Sequence, residues 1–131
     1  MPTVMRLNTG RSSQFLDTAP TYVFPSPDTL TNTDNALIGW LPGRNNWVDT
    51  VTGQVKTAPA GANITVDIKL ITRSTGATVS TLGTLTIAAG NLTGTASLTK
   101  TQILDTQALA AEIVTVGSPG TEGKNLTVEV F

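Results

Sequence analysis

The sequence predicts an all-β domain, an antiparallel β-sandwich of jelly-roll type, preceded by an extended N-terminal arm. Three observations carry this. Residues 64–70, ITVDIKL, alternate strictly: Ile64, Val66, Ile68 and Leu70 point one way, Thr65, Asp67 and Lys69 the other. That is the period-two signature of a strand with one buried and one wet face. Residues 126–130, LTVEV, repeat the pattern. Turn clusters rich in Gly, Pro and Asn separate short apolar runs, at residues 57–63, 88–91 and 117–120, which is the rhythm of a sandwich or jelly roll.

Residues 1–33 read as the arm. Residues 3–7 form a short strand-like run, and Pro20, Pro25 and Pro27 follow. Proline lacks a ladder donor, so this region is not expected in the middle of a sheet. Its apolar residues, among them Phe15, Leu16, Tyr22, Val23 and Phe24, are too many for a merely solvated tail. These five are the candidate partner contacts.

Residues 34–131 read as the sandwich. Residues 34–41 form a strand closed by Pro42 and Gly43. Residues 47–51 restart as strand, and Gly53 is expected to mark a bulge or bend. The strand at 64–70 comes next, then a turn at 72–76. Residues 78–87 carry strand, with Leu85 and Ile87 on one face. After the turn at 88–91, Leu92, Gly94, Ala96 and Leu98 alternate with Thr93, Thr95 and Ser97. Residues 99–109 read either as a short helix capped by Thr99 or as a loop crossing between sheets. In residues 111–116, Ile113, Val114 and Val116 cannot all face inward without a bulge.

Composition narrows the function classes. At 131 residues the chain is one domain, large enough to bury about two-thirds of its unfolded surface. Threonine makes up about a fifth of it and suits a pleated, half-buried surface. Charged residues are 13% and the net charge is -1. No basic stripe exists to displace counterions, so no nucleic-acid partner is expected. No apolar run approaches the roughly 20 residues of a membrane-spanning helix, and no secretory signal is visible. With no Cys and no His, disulfides, zinc–thiolate sites and histidine bases are excluded.

The nine Asp and Glu residues show no catalytic or metal-ligand spacing. Asp28, Asp34, Asn32 and Asn35 are read as turn and cap residues rather than a calcium site. The three N-x-T matches at Asn63, Asn91 and Asn125 each open a strand after a glycine turn, where Asn serves backbone geometry. Trp40, Trp47, Tyr22 and Phe131 are read as packing residues, since a sugar platform needs several aromatics on one exposed face. Lys69 faces outward, against a buried isopeptide cross-link. No cofactor, metal site or catalytic residue is assigned, and the chain is not expected to be an enzyme.

Residues 55–68 (VKTAPAGANITVDI), 85–90 (LTIAAG), 108–111 (ALAA), 116–120 (VGSPG) and 126–130 (LTVEV) together resemble a module of tailed-phage virion proteins. The resemblance covers about residues 47–131. Its motifs are a T-A-P-x-G strand opener, an I-A-A-G turn and a closing V-G-S run with L-T-V-x-V. The K-N-G-T hairpin usual after the core strand is replaced by residues 70–76, LITRSTG. The resemblance implies a jelly-roll-like sandwich and a capsid decoration, or cement, protein. It would be made in the host cytoplasm and sit on the capsid surface of the virion. The expected partners are the major capsid protein and sister copies, as a dimer or trimer. The alternative is a tail or fibre domain that contacts a host receptor or glycan.

Overall fold

A computed structural model of the chain describes residues 22–31, 37–39 and 46–131. They form eight strands: β1 (Tyr22–Thr29), β2 (Leu37–Gly39), β3 (Asn46–Gln54), β4 (Ile64–Thr72), β5 (Thr78–Ile87), β6 (Thr93–Ile103), β7 (Gln107–Val116) and β8 (Lys124–Val130). Among the described residues there is no helix. Two four-stranded sheets run in the orders β1-β8-β3-β6 and β2-β7-β4-β5, and every pairing is antiparallel.

The pairings are nested. The first strand pairs with the last, the second with the second-last, the third with the third-last, and the middle two with each other. This is a long hairpin rolled up so that β8 meets β3 in one sheet and β7 meets β4 in the other. The jelly-roll expectation is borne out in strand order as well as in class.

The core lies between the sheets. Ile64, Val66, Ile68 and Leu70 of β4 all face it, and the first three are fully buried. Leu126, Val128 and Val130 of β8 face it from the opposite sheet. Each such side chain contributes about 1.5–3 kcal/mol of burial before entropy is set against it. Phe24, Val128, Gly53 and Gly94 stand in register across one sheet. The two glycines leave room for Leu85 and Ile87: a Cβ at Gly53 would lie 2.5 Å from Leu85 Cδ2. Gly53 is thus a packing glycine in a regular ladder, not the bulge or bend that the sequence suggests.

Two further expectations change. The boundary between arm (1–33) and sandwich (34–131) is corrected, because residues 22–29 are a sandwich strand paired with β8. Pro25 and Pro27 are tolerated because β1 is an edge strand. Pro27 and Asp28 fall in its register shift, where Asp28 has φ 64 and donates its N–H to Asn125 Oδ1 at 2.8 Å. Residues 99–109 hold no helix; the other reading, a crossing between sheets, is met in a shorter form, since β6 runs to Ile103, a turn crosses to the other sheet, and β7 starts at Gln107. Leu109, Ala111 and Ile113 alternate inward there, so burial at period two overrides the short helical pattern. Of the strand expected at 34–41, the structure describes only β2, and the rest lies outside the described residues. In residues 111–116 a register shift leaves Val114 exposed, so Ile113, Val114 and Val116 do not all face inward.

Candidate binding face

Of the five residues singled out as partner contacts, Phe15 and Leu16 lie outside the described residues. Tyr22 and Phe24 are corrected. They are 3% and 1% exposed and belong to the protein's own core, since β1 presents alternate side chains to the opposite sheet. Val23, between them, is 49% exposed and free to contact a partner.

The open surface of the β1-β8-β3-β6 sheet is built by the same alternation. Val23, Glu129, Thr52 and Thr95 stand in one row across it, and Pro25, Thr127, Gln54 and Thr93 in the next. Between them runs a shallow trough of about 200 Å³, lined by the polar side chains of Thr52, Gln54, Thr93, Thr95, Thr127 and Glu129 above the backbone of Gly53 and Gly94. Beyond it, Phe131 and Thr50 exchange two backbone hydrogen bonds of 2.9 Å, which puts the Phe131 ring on this face beside Thr50 and Ser97. Phe131 O also accepts from Asp49 N at 2.9 Å. Opposite Asp49, β6 carries extra residues between Ser97 and Thr101. Lys100 in this arch holds its Nζ 5.8 Å from the centre of the Trp47 ring, within cation–π reach. Trp47 is 54% exposed and Phe131 40%.

The opposite outer face, on β2-β7-β4-β5, is tied up in its own polar ladder. Thr65 donates to Thr115, whose hydroxyl donates to the Asn63 carbonyl, each at 2.8 Å. Thr84 donates to Asp67 at 2.7 Å. Lys69 forms a half-buried ion pair with Glu112 of the neighbouring strand. That hydrogen bond, aided by the nearby Glu112 and Asp67 charges, holds the Lys69 ammonium above the ordinary lysine range against a smaller effect of desolvation. An amine held protonated is no nucleophile. Next to the ion pair, Ile71, Ala108 and Ala110 form a small second apolar cluster.

Asn63 and Asn125 serve the turns as expected. Asn63 Oδ1 accepts from Ala89 N at 3.0 Å, and Asn125 takes φ 57. Among the described residues no group of three metal-ligating side chains gathers. No family model, curated protein or solved structure matches the chain. The gathering of Trp47 and Phe131 on one open sheet face was not foreseen from sequence. The alternation of Val128 and Val130 places Phe131 opposite in phase to the core, but only strand register shows that Thr50 and Trp47 share its face.

Proposed function

We propose that the chain decorates the outside of a tailed-phage capsid and strengthens the shell by adding buried surface between neighbouring major capsid subunits. The observation that carries this reading is the rolled-up order of eight strands. The motifs of residues 47–131 resemble decoration modules, and the resemblance implies that architecture. Function does not follow from fold alone, and a second feature supports the reading. Tyr22 lies opposite Val130, so β1 begins beside the last residue of β8. Exposed Val23 stands on β1 at this end, and Leu104 in the β6–β7 turn. A charge-poor surface with exposed apolar side chains fits the core of a protein–protein contact. Phe15 and Leu16 in residues 1–21 add two more apolar side chains.

Shells assembled without the protein test this by co-sedimentation. They should bind the full-length chain and bind a chain that starts at Tyr22 poorly. Failure of the full-length chain to bind any shell would contradict the reading. Binding to tails alone would favour the fibre alternative.

A further inference from the structure

We propose that the open face of the β1-β8-β3-β6 sheet binds saccharide, as an extended neutral oligosaccharide lying along β3. The inference does not depend on attachment to a capsid. It starts from the chemistry of the trough. Thr52, Thr93, Thr95 and Thr127 offer hydroxyls that both donate and accept, Gln54 offers a carboxamide, and Glu129 a carboxylate. An apolar peptide or lipid covering these groups would strip their water and return no hydrogen bonds. An anionic ligand would meet the Glu129 carboxylate. A polyhydroxylated, uncharged ligand satisfies hydroxyls, amide and carboxylate together.

The aromatic residues extend the same surface. Sugars carry apolar C–H faces, and these pack on exposed rings. Phe131 and Trp47 supply two such rings on the trough's own sheet face, 40% and 54% exposed. Lys100 stands over the Trp47 ring and adds a donor beside it. From Gln54 to Trp47 along β3 is seven residues, or about 23 Å at about 3.3 Å per residue. That length suits a chain of several sugar rings better than a single one. The groups stand on paired strands rather than on loops, so little ordering is lost on binding.

The test is an NMR titration of the isotopically labelled full-length protein. The probes are cellohexaose, maltohexaose and chitohexaose, with oligogalacturonate as the acidic comparison. At least one neutral probe should shift the amides of Thr52, Thr93, Thr95 and Thr127 and the indole N–H of Trp47. Trp47→Ala, at an exposed site that leaves the core intact, should weaken this binding about tenfold, which corresponds to about 1.4 kcal/mol. Thr95→Val, which keeps the side-chain shape and removes the hydroxyl, should weaken it several-fold. Silence with all neutral probes, shifts confined to another surface, preference for the acidic probe, or an unchanged affinity in Trp47→Ala would each overturn the proposal. Protection of these same amides by capsid shells, with no response to sugar, would make the face a protein contact and overturn it as well.

Discussion

Gly94 of β6 lies so close to the backbone carbonyl of Thr86 on β5 that no β-carbon fits between them. The two strands belong to different sheets, and here the edges of those sheets meet. Gly83 makes the reciprocal approach: a Cβ there would stand 2.8 Å from Leu98 Cδ2 and 3.2 Å from the Ser97 carbonyl. The pair of glycines therefore closes one side of the roll. Gly94→Ala should destabilise the protein by about 3 kcal/mol, at the upper end of overpacking costs because the obstruction is backbone rather than a flexible side chain. Thr95→Ala, one residue away on the open face, should stay within about 0.5 kcal/mol. Urea denaturation measures both.

The β4 strand offers a sharper contrast. Ile68 is fully buried, and Ile68→Asp places an unpaired carboxylate in the core, at a cost of several kcal/mol, about enough to unfold the domain. The adjacent Lys69→Ala removes a half-buried ion pair with Glu112 and should cost about 1 kcal/mol. A double-mutant cycle with Glu112→Ala should return a coupling of about 0.5–1 kcal/mol. Zero coupling would mean that the pair contributes nothing in solution.

Among the described residues, Lys69 and Glu122 tie stability to pH. The folded-state value of Lys69 is raised by its hydrogen bond to Glu112. Its contribution is therefore complete below about pH 10.4, the ordinary lysine value, and is lost as pH rises through the raised one. Glu122 shifts the other way: its own backbone N–H and that of Gly120, at 3.0 Å, hold the carboxylate below the ordinary range. That contribution is present above about pH 4.3 and is lost as pH falls through the depressed value. Thermal unfolding followed across pH should show a shallower alkaline slope in Lys69→Ala. The acid slope, which sets in as pH falls below about 4.3, should flatten in Glu122→Gln.

The start of the domain is open to a deletion series. A chain beginning at Tyr22 keeps every described strand. One beginning at Pro25 loses Tyr22 and Phe24, both in the core, and should fall by more than about 3 kcal/mol, the cost of a large aromatic removed from a core. Equal melting temperatures for the two chains would show that Tyr22 and Phe24 contribute nothing to the core.

Much of this fold was legible in residue order. The inward set of β4 and the closing alternation of β8 depend on period two alone, and burial enforces that period. The first strand was hidden by its prolines. They mark an edge as readily as an arm, and only pairing with β8 separates the two. The turn at residues 104–106 was hidden by helix-compatible neighbours, Gln102, Leu104 and Ala108. The binding face was least legible, because it is made by register. Thr52 meets Glu129 and Thr95, and Phe131 meets Thr50, across strands far apart in sequence. The insertion around Lys100 that brings it to Trp47 is an irregularity that no spacing rule supplies.

Cryo-electron microscopy of intact particles tests the proposed attachment to a capsid most directly. Density is expected on the outer surface of the shell that accepts the two four-stranded sheets, with the Tyr22 end of β1 directed at the major capsid protein. Bare shells, with the sandwich found only on tail or fibre, would contradict it.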